Sequence, residues 1–203
     1  MSLTAIAALL STILAVYCAI PYIISIIKGT TKPHQFSWLV FAIMNGIVFF
    51  SQFLEGGRGS VIVYGLFFIG STINFLLSLK YGVRDTSKWD KLLFGFALLT
   101  IVVWLITRSN ATAIWLTILI DVFATSMIIL KLRAEPHTEA PLPWVLATAA
   151  TGFGLLTLVG KPLSILYVRP TYGIVCNLIL IAFIYYYRRN KTKETSELSP
   201  LES

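Results

Sequence analysis

Apolar runs separated by short polar breaks take up almost the whole chain. Seven of them, residues 4–27, 37–55, 60–82, 89–107, 111–131, 142–160 and 163–187, match the ~20 residues that carry a helix across ~30 Å of hydrocarbon. The breaks KGTTKPHQ, EGGRG, RDTSKWDK, RSN, RAEPHTEAPLP and GKP are rich in glycine, proline and charge, which end helices and turn the chain. The pattern predicts seven transmembrane helices. From Arg188 onward the chain is polar and poor in apolar residues, so residues 190–203 are expected to form a disordered cytosolic tail.

Composition narrows the class. Hydrophobic residues make up 57% of the chain and charged residues 12%, with a mean hydropathy of +0.81. Soluble domains carry about 25% charged residues, so a water-soluble domain is excluded and an all-α membrane protein is expected. The net charge of +7 is then a statement about topology rather than a nucleic-acid surface. The loops after the first, third and fifth helices, with the tail, hold twelve of the sixteen lysines and arginines. The other side holds four, Arg58, Arg108, Lys161 and Arg169. By the positive-inside rule the N-terminus lies outside and the C-terminus in the cytosol, with the lipid bilayer as obligatory partner. Cys18 and Cys176 both fall inside apolar helices, where a cysteine is expected as a small buried residue rather than half of a disulfide.

The chain also repeats itself. At an offset of 103 residues Lys28 maps to Lys131, Pro33-His34 to Pro136-His137, Tyr64 to Tyr167, Gly70 to Gly173 and Asn74 to Asn177. At an offset of 106, Trp38 maps to Trp144 and Gly46 to Gly152. The offset corresponds to four helices, an even number, so the two copies share one orientation in the membrane. The expected plan is a first three-helix bundle in residues 1–83, a linker transmembrane helix in 84–109 and a second three-helix bundle in 110–189. Parallel repeats of this kind occur in transporters.

With this three-plus-one-plus-three plan, the segment PYIISIIK at residues 21–28, and asparagines on helices 3 and 7, the chain resembles the SWEET and PQ-loop superfamily as a distant member. The resemblance spans nearly all of residues 4–189. Tyr22 stands where the PQ dipeptide has glutamine, and Phe123 lies near the second expected proline. The resemblance implies a transporter in which Asn74 and Asn177 match the sugar-binding asparagines and Pro21 is a gating proline. Similarity to lysosomal PQ-loop transporters of the cystinosin type implies a proton-coupling role for Asp121 on helix 5.

Reading the residues for depth leads to the same region. Counted from charged anchors at about 1.5 Å per residue, Asn74, Asn177, Asn45, Thr151, Cys18 and Asp121 share one level near the bilayer centre, one from each repeat helix. That is the layout of a substrate site at a repeat interface. Small and amide residues also serve as packing contacts between membrane helices, which is the competing account of Asn45 and Thr151. Asp121 is the one acid in the interior of any run, Glu55 and Asp90 lying at run ends, and an ionised carboxylate there costs ~2.5–3.5 kcal/mol. It should be protonated for part of a cycle, paired with a cation, or facing water. Arg169 lies about 12 Å outward of Asn177 and is expected at the outer mouth, facing Glu55 or snorkelling, with an ion pair to Asp121 as the competing account. His34 and His137 are read as solvated loop histidines. No metal-ligand cluster, nucleophile–base pair or phosphate loop stands out, so no cofactor and no enzyme activity are expected.

The function expected is transport of a small neutral polar solute, sugar-like or amino-acid-like, by alternating access between two repeats, with proton coupling through Asp121 as one form of it. The alternative is a seven-helix binding or sorting receptor on the same scaffold, like the KDEL receptor, with Arg169, Lys161 and Glu55 supplying its charges. A homo-oligomer is compatible with both.

Overall fold

A computed structural model of the chain describes residues 2–29, 33–82, 88–134 and 141–198. They form seven helices: α1 Leu3–Ile27, α2 Gln35–Leu54, α3 Gly59–Tyr81, α4 Lys88–Thr107, α5 Asn110–Ala134, α6 Pro141–Leu156 and α7 Ile165–Leu198. Four of them contain apolar stretches long enough to cross a membrane, Leu3–Ile27, Gln35–Leu54, Gly59–Tyr81 and Ile165–Lys191. Shorter apolar segments lie at Lys91–Thr107, Asn110–Ser126 and Pro141–Leu156. The chain is an all-α protein with the helices of a membrane protein.

Local chemistry sets the helix ends. Ser2 caps α1 by accepting from the Ala5 N–H at 3.3 Å. His34 caps α2, its Nδ1 accepting from the Ser37 N–H at 3.4 Å, so this histidine has a structural task in its loop. His137 lies outside the described residues. Helix α6 stops four residues before the expected Gly160. There the backbone tightens into three-residue-spaced bonds, Thr157 N–H to Gly154, Leu158 to Leu155 and Val159 to Leu156. Gly160 then takes a positive φ of 84° and Pro162 follows, which together bar continuation. At the other extreme, α7 runs on to Leu198, into the stretch expected to be disordered. The segment RRNKTKETSEL holds neither glycine nor proline, and extending an existing helix avoids the cost of nucleation.

In packing, α1 lies against α3 and α6, while α2 lies against α3, α4 and α5. Helix α7 lies against α5 and α6, α4 against α5, and α3 also meets α6. Lipid tails are as apolar as leucine, so close backbone approach rather than water exclusion holds such helices together. The α2–α3 seam shows this reciprocally. A Cβ on Gly46 would lie 3.1 Å from the Phe68 ring and one on Gly65 would lie 3.1 Å from the Phe49 ring. The two rings stack at 6.3 Å between centroids. Around the outside, residues such as Leu9, Phe53, Leu76, Trp115 and Leu178 are exposed, as side chains facing hydrocarbon would be.

Gly154 is the tightest point where α6 meets α1 and α3, since a Cβ there would sit 3.1 Å from Val63 Cγ2 and 3.4 Å from Ser11 Oγ. Gly152, two residues earlier and on the opposite side of α6, has nothing within 4 Å. Gly154→Ala should therefore lower stability by about 1–3 kcal/mol through overpacking. Gly152→Ala should be neutral or stabilising by up to about 1 kcal/mol, the ordinary gain of replacing a helical glycine. Thermal unfolding of both variants in detergent checks the contrast.

Candidate functional site

The buried polar chemistry is organised around a proline. Pro170 sits inside α7 and has no N–H, so the carbonyl four residues earlier, that of Leu166, loses its helical partner. A freed carbonyl in an apolar interior must find a donor from elsewhere. Gln52 of α2, fully buried, donates its Nε2 to the Leu166 carbonyl at 3.1 Å. The amide is held in that orientation from the other side, where Ser60 Oγ of α3 donates to Gln52 Oε1 at 3.1 Å. One side chain thus ties α2, α3 and α7 at a single height.

Next to the proline is the buried charge pair. Arg169 of α7, 8% exposed, donates from Nη1 to Asp121 Oδ2 of α5 at 3.1 Å. Its guanidinium also lies over the Tyr172 ring, 5.1 Å from the centroid. Tyr64 of α3, four residues beyond Ser60, is itself buried. The Nε of Arg169 is buried with no acceptor among the described residues. This corrects the placement expected for Arg169 at an outer mouth facing Glu55. Glu55 instead accepts from Asn110 Nδ2 at 2.9 Å, and Asn110 Oδ1 accepts from Trp104 Nε1 at 3.0 Å. Lys161, the other cation near that end, donates to the Gly56 carbonyl. Counting residues located the Arg169 Cα but not its head group, which an arginine stem of about 6–7 Å can carry well along the bundle axis.

Contacts between helices also revise the single layer of six residues. Gln52 sets Ser60 and Leu166 level. Asn74 lies fourteen residues beyond the first and Asn177 eleven beyond the second, a difference of three residues or about 4.5 Å. The two asparagines therefore lie within one helical turn of each other along the axis. Asn45 bonds Ser71 at 3.5 Å, less than one turn of α3 from Asn74. Cys18 is also offset from Asn74, since its neighbour Ala19 lies 3.6 Å from where a Cβ on Gly70 would be, and Gly70 is four residues, about 6 Å, before Asn74. Asp121 does not share the level. Cys176 Sγ donates to Thr125 Oγ1 at 3.3 Å, which places Asp121 one turn, about 6 Å, nearer the Glu55 end.

Thr151 departs furthest. Ser11 Oγ donates to the Ala150 carbonyl at 3.0 Å and Cys18 Sγ to the Pro143 carbonyl at 3.4 Å, so α1 and α6 run antiparallel in register. Thr151 thus lies about 12 Å from Cys18 along the axis. The anchor count misjudged it because Trp144 is not at a boundary: it packs inside, against Leu132, Leu180 and Ile184, beside the level of Cys18. Pro21 lies within α1, as expected, with Tyr22 beside it accepting from Trp38 Nε1 at 3.3 Å.

At the asparagine level, Asn74 is 3% exposed and its Oδ1 has no donor among the described residues. Asn177 is half-buried on α7. Two cavities form elsewhere: one between α4 and α5 beside Phe96, Thr100 and Phe123, the other between α5 and the start of α7 beside Trp115, Tyr167 and Tyr172. Both are lined mainly by apolar side chains. Among the described residues no group of histidine, cysteine and carboxylate side chains could hold a metal ion. Compared with known proteins, the chain matches no family model, no curated protein and no solved structure.

Ser60 and Tyr172 were not expected at the site; Gln52 and Thr125 were expected only to share inward-facing helical stripes with Asn45 and Asp121, without a bonding role. A signal for Gln52 existed, since a proline inside an apolar run demands a donor from another helix. Tyr64 was visible only as a repeat mark.

Removing one partner of a buried ion pair leaves the other charge stranded, at about 3–5 kcal/mol. Asp121→Leu and Arg169→Leu should each destabilise the protein by that order, while the double substitution should recover most of the loss. A double-mutant cycle of unfolding in detergent measures this coupling.

Proposed function

We propose that the chain is a membrane transporter of a small polar solute, working by alternating access between two three-helix bundles, α1–α3 and α5–α7, linked by α4. The packing supports two related halves. Exchanging α1, α2 and α3 for α5, α6 and α7 turns α1–α3 into α5–α7, α2–α3 into α6–α7, and α1–α6 into α5–α2, and all six pairs are packed interfaces. The excess of basic residues orients the N-terminus outside and the C-terminus in the cytosol.

The observation that carries the reading is Asn74. A buried amide oxygen left without a donor in an apolar bundle is costly, and a second amide, Asn177, lies within about one turn of it along the axis, on the equivalent helix of the other half. A solute offering both donors and acceptors relieves the cost in a way that packing does not. Asn45 and Cys18 flank the pair, and Thr151 stands apart near the Glu55 end. Proton coupling through Asp121 belongs to the same proposal. It requires that Asp121 leave Arg169 and bind a proton at one stage of the cycle.

Purified protein in liposomes, tested with a panel of radiolabelled sugars and amino acids, should show saturable uptake of at least one solute. Asn74→Leu should reduce that uptake at least about tenfold while leaving the unfolding temperature unchanged or higher, since the unpaired oxygen is removed. Absence of flux for every solute would contradict the reading. Asp121→Asn should abolish uptake driven by a pH gradient and spare solute exchange; pH-driven uptake at the original rate would remove the proton from the account.

A further inference from the structure

We propose that the Asp121–Arg169 pair is a recognition site for an amino-acid zwitterion, whose carboxylate binds Arg169 and whose ammonium binds Asp121. The inference rests on the transporter reading and narrows its substrate class. A guanidinium offers five donors in a planar fork that matches a carboxylate through two parallel bonds. In this structure Arg169 uses a single bond to Asp121, from Nη1 to Oδ2 at 3.1 Å, and its buried Nε points at no acceptor among the described residues. The Asp121 side chain is more accessible than that of Arg169, 17% against 9%. The pair is thus under-satisfied and partly open, which a purely structural ion pair has no reason to be.

Charge conservation selects the ligand. An anionic solute taken by Arg169 would strand the carboxylate of Asp121 in an apolar interior, and a cationic solute would strand the guanidinium. A neutral sugar would leave the pair closed and gain nothing from it. A zwitterion replaces one internal ion pair by two, with no net charge added. Tyr172 borders the pair from α7, its ring under the Arg169 guanidinium. The asparagine level lies about one turn of helix, roughly 6 Å, further along the axis. That spacing suits a solute whose charged ends sit at Asp121 and Arg169 and whose side chain reaches Asn74 and Asn177.

The test uses the full chain in nanodiscs and titrates L-alanine, L-serine, L-glutamine and L-leucine against their primary amides, their N-acetyl derivatives, glucose and sucrose. Binding is read by calorimetry and transport by liposome uptake. At least one amino acid should bind, and its amide and N-acetyl derivative should each bind at least about tenfold more weakly, because each leaves one charge of the pair unanswered. Arg169→Gln should weaken the amino acid by a similar factor while leaving its amide unchanged. The derivative series uses the unaltered protein, so the comparison stands even if that variant fails to fold. Uptake of a sugar with no amino-acid binding, or an amide bound as tightly as its amino acid, would overturn this inference and leave the transporter reading intact. No binding and no uptake of any of these solutes would overturn both.

Discussion

Inside an apolar bundle a polar group has no water to fall back on, and Gln52 is where this constraint does most for the fold. Pro170 removes a helical hydrogen bond from α7, and the Leu166 carbonyl it frees is met by the Gln52 amide, which Ser60 orients from α3. That arrangement fixes three helices at one height. It thereby sets Asn74 within about one helical turn of Asn177 and brings Arg169, the residue before the proline, to Asp121. A helix break that would be a defect in isolation becomes the point at which α7 is registered against the rest of the protein.

The distribution of satisfied and unsatisfied groups then separates scaffold from site. Gln52, Ser11, Cys18 and Ser71 all find partners on a neighbouring helix or on their own backbone. Asn74 Oδ1 and Arg169 Nε do not. Both orphans lie on helices that occupy equivalent places in the two proposed halves, and both are types that recognise polar solutes. Ser51 Oγ of α2 is a third buried unpartnered atom, but a hydroxyl rotates freely and carries less information.

Much of the fold was legible because the bilayer demands long apolar runs. Helix boundaries for α1 through α4 came within about two residues, since glycine, proline and charge mark them. The end of α6 and the continuation of α7 were less legible, because a tightening last turn and a polar helical extension leave little trace in hydropathy. In the candidate site, Asn74 with Asn177 could be read from the repeat. The Arg169–Asp121 pair was legible only as the competing account, since residue counting ignores side-chain reach. Thr151 was misplaced because Trp144, counted as a boundary anchor, packs inside the bundle beside the level of Cys18. Gln52 was legible as an inward-facing residue but not as the partner of Leu166: a demand for a donor does not say which helix will answer.

The central claim is that a solute occupies the level of Asn74 and Asn177. The most direct measurement is an experimental structure of the protein determined with a transported solute bound. The account predicts ligand density between α3 and α7 at that level, with a donor of the solute within hydrogen-bond distance of Asn74 Oδ1. Density confined to the apolar cavities beside α4 and α5, with Asn74 Oδ1 bonded to a neighbouring helix, would contradict it.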